Sequence, residues 1–262
     1  MKPMKYIYAF LAGALLMFAA SSEAYAQKER NMGIVRSALR GLHYSVRAGY
    51  NIGGTSPLPL PVEIRGINSY KPLMGFSIEG NMEKYLNNNW GLSIGLRLEN
   101  KMMSTDATVK NYKMSMISDE GRLDGYWTGK VKTYVKNSYI SLPVLITYRI
   151  GQRWKVKLGP YFSYLMSGDF SGSAYDGYLR KSTPIGAKVE LDADHPGSYD
   201  FSDDLEKFNA GLQLGAEWKA FSHLNVYMDL NWGLKSVFPK DFETITFAMY
   251  PIYATFGFAY AF

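Results

Sequence analysis

Alternation of apolar and polar residues dominates the chain from Gly41 to its last residue. Strict alternation is typical of β-strands with one apolar face, whereas the three- and four-residue spacings of amphipathic helices are nearly absent. The pattern therefore predicts an all-β domain with eight strands. The eight alternating segments are Tyr44–Ile52, Met74–Met82, Trp90–Leu98, Ile140–Ile150, Trp154–Met166, Phe208–Trp218, Leu224–Leu234 and Tyr250–Phe262.

The two faces of these strands differ sharply in charge. Apolar residues occupy the even positions of every segment, and that face carries no charged residue. A face in contact with lipid excludes charge, so the pattern favours an outer apolar surface and a polar lumen. In a soluble lipocalin-type barrel the same face would fill the interior, and periodicity alone does not distinguish the two. On the lipid-facing interpretation, a lumen charge network comprises Arg47, Glu79, Glu83, Arg97, Glu99, Lys101, Arg149, Lys155, Lys157, Glu217 and Asp229.

The connections between the segments alternate in length. Long connections follow the first, third, fifth and seventh segments, and short ones follow the second, fourth and sixth at Tyr85–Asn89, Gly151–Arg153 and Lys219–His223. Long extracellular loops and short periplasmic turns are typical of outer-membrane barrels. This alternation favours the lipid-facing arrangement over the soluble one.

Aromatic residues stand beside the three short turns on the apolar face. They are Trp90, Trp154 and Trp218, with Tyr148 close by. Large aromatic side chains at one level are typical of the girdle at a membrane interface. We therefore expect an aromatic girdle on the periplasmic side.

The last segment ends the chain on a strand, with Phe258, Tyr260 and Phe262 on alternate positions. This ending resembles the signal that the outer-membrane barrel-insertion machinery recognises. We expect that machinery to be a partner of the chain.

An open sheet in lipid would leave the amides of its edge strands unpaired, so the first and last strands are expected to pair and close the barrel. Pro143 and Pro160 lie inside strands and each removes a ladder donor. We expect a local β-bulge at these prolines.

The N-terminal residues have the pattern of a secretory signal peptide. A short basic stretch to Lys5 precedes an apolar run from Tyr6 to Ala20, and small residues precede Gln27. The run is shorter than the roughly 20 residues of a membrane-spanning helix, which disfavours a permanent anchor. The predicted organisation is a signal peptide over residues 1–26, a periplasmic segment over residues 27–40 and a barrel over residues 41–262.

Composition narrows the functional classes. With no cysteine among 262 residues, a disulfide scaffold, a cysteine zinc site and a thiol nucleophile are excluded. A mean hydropathy of −0.17 excludes a bundle of membrane-spanning helices. The net charge of +6 suggests anionic partners, and export discounts nucleic acid in favour of lipopolysaccharide or a protein partner.

The hairpin of the fourth and fifth segments resembles a known family. Residues 138–150 and 158–165 contain the patterns YxxxPxLxxYR and GPYxxYL, and residues 204–217 are similar to a further strand of the same family. The family is the PorT-like outer-membrane β-barrels of the Bacteroidota, small barrels of the OmpA/OmpX kind, and the likeness extends from about residue 41 to residue 262. The resemblance implies a closed eight-stranded antiparallel barrel in the cell outer membrane. It implies no catalytic motif and no cofactor, and the secretion role associated with the founding member is not carried over.

The barrel architecture supports two functional hypotheses. An eight-stranded barrel is just wide enough for side chains to fill, which favours a packed lumen and a structural or interaction role through the extracellular loops, as an accessory to secretion, uptake or envelope integrity. A narrow porin-like channel for ions or small solutes is the alternative. The second long loop, residues 102–136, interleaves lysines with aromatic residues, which suits lipopolysaccharide phosphates or a protein partner, or else extends the barrel wall.

The sequence offers only weak candidates for a catalytic or metal-binding site. His43 and Ser45 share the inward face of the first strand, with Glu217 or Asp229 as a conceivable acid, which leaves a lipid-modifying enzyme as the least favoured hypothesis. The cluster of Asp192, Asp194 and His195, and a second cluster at residues 202–204, lack the spacing of a calcium loop. We predict no enzymatic activity and no metal.

Overall fold

The computed structural model describes residues 40–118, 121–242, 244–245 and 247–262. The predicted signal peptide, and the segment 27–40 apart from its last residue, lie outside these residues. Within the described part, no helix is long and apolar enough to cross a membrane. The described residues form eleven strands: β1 (Leu42–Pro57), β2 (Ile64–Pro72), β3 (Gly75–Tyr85), β4 (Trp90–Ser118), β5 (Gly121–Ile150), β6 (Trp154–Lys181), β7 (Lys188–Leu191), β8 (Gly197–Asp200), β9 (Phe208–Lys219), β10 (Leu224–Gly233) and β11 (Met249–Ala261).

Eight of these strands form a closed antiparallel barrel in the order β1, β3, β4, β5, β6, β9, β10, β11. β11 returns to pair with β1, in the register that places Val46 opposite Tyr260 and Ile52 opposite Ala254. Each barrel strand contains one of the eight alternating segments to within one residue at its ends, so the predicted fold class is confirmed. Closure pairs the strand edges that an open sheet would expose to lipid.

Three barrel strands are far longer than a membrane requires. β4, β5 and β6 contain 29, 30 and 28 residues, whereas about 9 to 11 residues cross a bilayer. The pairing of β4 with β5 continues to Ser118 and Gly121, at the end of both strands. The second long connection therefore extends the barrel wall, as one of the two sequence hypotheses for that region expected.

The outward and inward faces of these long strands both change polarity at one level. On β5, the outward residues Ile146 and Ile140 are apolar, whereas the outward Lys136 and Lys132, nearer the N-terminal end of the strand, are charged. The inward face changes from polar to apolar: Ser141 and Asn137 are buried in the membrane-proximal part, and Val135, Val131 and Trp127 are buried beyond them.

Neighbouring strands change at the same height, since Asn100, Ser138 and Ser167 are successive register partners on β4, β5 and β6. An apolar exterior requires lipid and an apolar interior requires water outside, so this level marks the outer membrane surface. We call the described residues of 53–73, 102–137, 168–207 and 235–249 the head, and the rest of the barrel the membrane half.

The head has a hydrophobic core of its own. Trp127 is completely buried, and Phe170 packs against Phe238 with ring centroids 4.8 Å apart. Phe201 stacks on Tyr199 at 5.3 Å. The strands β2, β7 and β8 pair with β4 and β6 around this core. The long connections thus fold into one packed unit on top of the barrel.

The predicted bulge at the prolines is wrong. The register of β4 with β5 is the same on both sides of Pro143, and that of β5 with β6 is unchanged between Pro143 and Ile146. Gly95 is the residue across from Pro143, and a β-carbon there would lie 3.1 Å from Pro143 Cγ. The missing side chain at Gly95 makes room for the proline ring, so the strand keeps its register.

Candidate functional site: the barrel lumen

Two arginines share one carboxylate at the centre of the membrane half. Arg47 Nη1 lies 2.9 Å from Glu79 Oε1, and Arg97 Nε lies 2.6 Å from Glu79 Oε2. Arg47 Nη2 also lies 2.9 Å from Asp229 Oδ2, and its guanidinium stacks on the ring of Tyr227. These charged side chains are all fully buried, so each depends on the others for its stability.

Arg97 bridges the full width of the lumen. Its Nη2 donates to Gln213 Oε1 at 2.7 Å and its Nη1 to Asn231 Oδ1 at 3.2 Å. Arg97 lies on β4, and Asn231 lies on β10, four places away in the ring of eight strands. Gln213 Nε2 in turn donates to Asp229 Oδ2 at 3.0 Å. Hydrogen-bonded side chains therefore fill the cross-section.

A second cluster lies on the periplasmic side of this plane. Lys157 Nζ lies 3.4 Å from Glu83 Oε2 and 3.3 Å from Glu217 Oε2. Lys155 Nζ lies 2.7 Å from Glu217 Oε1, to which Asn225 also donates at 2.6 Å. The charges here compensate one another.

A third cluster separates the lumen from the head. Lys101 Nζ lies 3.2 Å from Glu99 Oε1. The ammonium group faces the rings of Tyr139, Tyr161 and Tyr253, with centroids at 5.3, 5.1 and 5.8 Å. Because an aromatic face attracts a desolvated cation, these rings hold the lysine in place. The cluster lies directly beneath the apolar core of the head.

The structure thus brings together every predicted lumen residue except Arg149. The Arg149 guanidinium stacks on the Tyr85 ring at the periplasmic mouth, with Cζ 3.2 Å from its centroid. Sequence reasoning singled out charges alone and so missed Gln213, Asn231 and the tyrosines around Lys101. Their odd-numbered, inward positions were the available signal.

The aromatic residues beside the short turns lie on the outside of the barrel. Trp90 and Tyr148 are register partners with ring centroids 4.6 Å apart, and Trp154 and Trp218 are partners at 6.4 Å.

A second aromatic pair, not foreseen from the sequence, lies further along the same strands. Tyr164 on β6 and Phe208 on β9 have ring centroids 5.3 Å apart. They lie ten residues along their strands from Trp154 and Trp218. At a rise of ~3.3 Å and a tilt of ~40° the two levels are about 25 Å apart, the height of an apolar band in outer-membrane barrels.

The C-terminal residues close the ring. Phe258, Tyr260 and Phe262 are exposed on the outer face. The backbone N–H of Phe262 donates to the carbonyl of Tyr44 at 3.1 Å. The last residue therefore takes part in the junction between the two terminal strands.

Among the described residues, no hydrogen bond or ion pair joins His43 to an acid, although Glu217 lines the same cavity at the mouth as His43 and Ser45. His43 is exposed at the periplasmic mouth, where its ring contacts Tyr85 edge to face. Its two conceivable acids, Glu217 and Asp229, are ion-paired with lysine and arginine in the lumen.

The acidic cluster of the head is a local turn. Asp192 Oδ1 accepts hydrogen bonds from the backbone N–H groups of His195 and Asp194, at 2.8 and 3.1 Å. The His195 amide is the main reason that the pKa of Asp192 lies below its usual value. Among the described residues, no group of three or more His, Asp or Glu side chains is arranged to hold a metal ion.

Comparisons with known proteins agree with the fold. The family model described as an outer membrane protein beta-barrel domain matches residues 25–239. No significant match was found among curated proteins.

Solved structures with some similarity include three bacterial surface proteins. Ail, the attachment invasion locus protein of Yersinia pestis, has a TM-score of 0.37 and 12% sequence identity, and the match covers 84% of this chain and 97% of Ail. The outer membrane protease OmpT of Escherichia coli has a TM-score of 0.32 and 13% identity, with coverages of 85% and 97%. The outer membrane protein OprG of Pseudomonas aeruginosa has a TM-score of 0.28 and 11% identity, with coverages of 84% and 95%. Likenesses at this level support no inference about function.

Proposed function

The chain belongs to the family of outer membrane beta-barrel domains, and from this premise we propose that it is a non-conducting barrel that anchors its head on the cell surface for a structural or interaction role. The location in the cell outer membrane follows from the family. The role of the head and the absence of conduction are the proposal.

The cross-lumen network around Arg97 is the observation that carries the proposal. An ion that passed through the barrel would have to displace hydrogen bonds from Arg97 to Glu79, Gln213 and Asn231. Separating a buried ion pair leaves an uncompensated charge in a low-dielectric interior, at a cost of about 3 to 5 kcal/mol. The Lys101 cluster and the head core add two further barriers on the same path.

The outer surface of the head supports an interaction role. The outward residues Lys130, Lys132 and Lys136 of β5 flank Tyr134, and Lys132 Nζ lies 5.3 Å from the centroid of its ring. Exposed cations beside aromatic rings suit the phosphates of lipopolysaccharide or an acidic protein surface. The interaction role that we propose is that of an accessory to secretion, uptake or envelope integrity.

Single-channel recording in planar bilayers tests the proposal. We expect no steady conductance steps from the wild-type barrel, and none from a Glu79→Ala/Arg97→Ala double variant, in which Arg47 stays paired with Asp229 and the Lys101 cluster and the head core still close the path. Heat-modifiable migration on gels verifies that both proteins are folded. Steady, ion-selective steps from the wild type would overturn the proposal in favour of a narrow channel.

A further inference from the structure

The head contains an apolar cavity of about 320 Å³ beside the upper end of β1. It lies between β1, β2 and the inner face of β4, and the loop before β11 covers its far side. Residues that line it include Leu60, Ile67, Met103, Phe201, Phe247 and Met249.

The barrel wall is open next to this cavity. β3 ends its pairing with β1 at Gly75, opposite Asn51, and above this point β2 takes over as the partner of β4. Among the described strands, no ladder joins β2 to β1, whose residues 53–57 pair only with β11. The free N–H of Thr55 instead donates to the Met103 sulfur at 3.2 Å, inside the cavity. A lateral slot therefore separates β1 from β2, and a hydrogen bond from Tyr70 Oη on β2 to the carbonyl of Gly53 on β1, at 2.6 Å, spans it.

The slot begins at the membrane surface. Asn51 Nδ2 donates to the carbonyl of Asn100 at 3.0 Å, and Asn100 belongs to the level at which the outer faces change from apolar to polar. The exposed Met74 lies on the outside near this height, whereas the exposed Tyr70 and Ile67 lie higher, opposite Thr105 and Ala107 on β4. The lower end of the slot thus faces the membrane interface.

The lining is suited to hydrocarbon. None of the described residues that line the cavity is charged. Thr133 Oγ1 and Tyr199 Oη are hydrogen-bonded at 2.6 Å, and Tyr70 Oη donates to the carbonyl of Gly53 at 2.6 Å. Burial raises the pKa of Tyr199 well above its usual value, so its phenol stays neutral. These hydroxyls are satisfied within the protein and leave an apolar surface.

The volume of the cavity limits the length of the hydrocarbon chain that can fit inside it. An apolar cavity of about 150 Å³ holds benzene, with six carbon atoms, so one of about 320 Å³ holds roughly 12 carbon atoms. We propose that the head binds one saturated hydrocarbon chain of about 12 carbon atoms, which enters through the slot between β1 and β2. This binding goes beyond the anchoring role and does not depend on whether the lumen conducts.

Photocrosslinking in reconstituted vesicles tests the proposal. One arm uses free n-alkanols of 8 to 16 carbons with a terminal diazirine, and the other uses a phosphatidylcholine with the same diazirine at the end of one acyl chain. We expect the β2 and β4 peptides that line the cavity to be labelled, with affinity for the free alkanols increasing about fourfold per methylene up to roughly 12 carbons and then levelling off. Labelling by the phosphatidylcholine as well would identify membrane lipid as a source, and labelling by the alkanol alone would identify a free single-chain molecule.

Two variants and a control locate the site. Ala107→Phe fills the cavity and should abolish cavity labelling, whereas Thr108→Phe places the same ring on the opposite face of β4 and should leave it unchanged. Met103→Ala removes three heavy atoms from the lining and should move the optimum by about three carbons towards longer chains, a gain that misfolding cannot produce. Labelling confined to outward residues of the membrane half, or a chain-length profile that all three variants share with the wild type, would overturn the proposal.

Discussion

Arg97 and Gln213 meet across the lumen, with Nη2 of the arginine 2.7 Å from Oε1 of the amide. The two residues lie on β4 and β9, which are not neighbours in the barrel. The contact therefore ties opposite walls of the membrane half together.

Loss of Arg97 should destabilise the barrel strongly. Arg97→Ala leaves Glu79 and Asp229 with one guanidinium in place of two, and we expect a loss of about 3 to 5 kcal/mol in the free energy of unfolding. Urea titration of tryptophan fluorescence in lipid vesicles measures it. The control is Arg122→Ala, which breaks the pair with Asp124, two side chains that are 73% and 61% exposed; the expected change is below about 1 kcal/mol. Equal losses in the two variants would contradict a special role of the lumen network.

A charge on the outside should be tolerated in the head and not in the membrane half. Leu158 and Ile117 are similarly exposed, at 54% and 64%, but they lie on opposite sides of the proposed membrane surface. Leu158→Arg, near mid-height between the aromatic levels, should cost about 2 to 4 kcal/mol. Ile117→Arg should change the free energy of unfolding in vesicles by less than about 0.5 kcal/mol. Similar costs at both positions would show that the exteriors of the two halves face the same medium.

Removal of the central aromatic of the head should loosen the head alone. Trp127 is fully buried and its Nε1 donates to the carbonyl of Lys130 at 3.2 Å. For Trp127→Ala we expect a loss of about 3 to 5 kcal/mol in the local stability of the head. Hydrogen exchange read by mass spectrometry should show faster exchange in β4 and β5 of the head, with unchanged protection of β9 and β10. Tyr134→Ala, on the outer face of β5, is the control and should leave exchange unchanged; uniform loss of protection over the whole barrel in Trp127→Ala would mean that head and membrane half unfold as one unit.

The terminal phenylalanine should matter for assembly more than for stability. Phe262 is 73% exposed, so Phe262→Ala removes little buried surface. As the predicted insertion signal, it should nevertheless be needed for efficient insertion. We expect a reduced amount of heat-modifiable protein in outer membranes, with an unchanged urea midpoint for the barrels that do assemble. Phe221→Ala, at 70% exposure in the last short turn, should assemble like the wild type. Normal amounts of assembled Phe262→Ala would remove the insertion role.

Period-two alternation was sufficient to predict the membrane half because lipid imposes one rule on every strand. A charge on the outer face is costly between the levels of Trp154 and Tyr164, and most costly near mid-height at Leu158. All apolar residues of a strand therefore keep one parity, and the pattern is readable without knowledge of the neighbouring strands.

The head was not predicted because β-bulges shift the parity of β4 and β6, and because its inward residues are apolar where those of the membrane half are polar. On β6 the buried residues change from odd-numbered Leu165 to even-numbered Phe170, after a register shift opposite Ser138 and Tyr139. Further shifts occur at Val109 and Thr128. On β4 and β6 the shifts move buried residues to the other parity. On β5 the inward residues stay odd-numbered but change from polar Ser141 and Asn137 to apolar Val135 and Val131, so the alternation of the membrane half does not continue.

The alternation of inward and outward positions also predicted which charged residues face the lumen, but it did not predict which of them pair. The partner of Arg97 depends on the register of strands on the far side of the ring, and that information is global. Arg149 has the inward parity of its neighbours and still stacks on Tyr85, because the mouth of the barrel leaves it room.

The depth of outward-facing positions along β5 tests most directly where the membrane ends. Because the chain has no cysteine, single spin labels at Ile146→Cys, Ile140→Cys, Lys136→Cys and Lys132→Cys report one position each. In vesicles we expect the labels at 146 and 140 to be accessible to oxygen and protected from a water-soluble nickel chelate, and those at 136 and 132 to show the reverse. Equal chelate accessibility at all four positions, or protection that continues to 132, would contradict a membrane half capped by a water-exposed head.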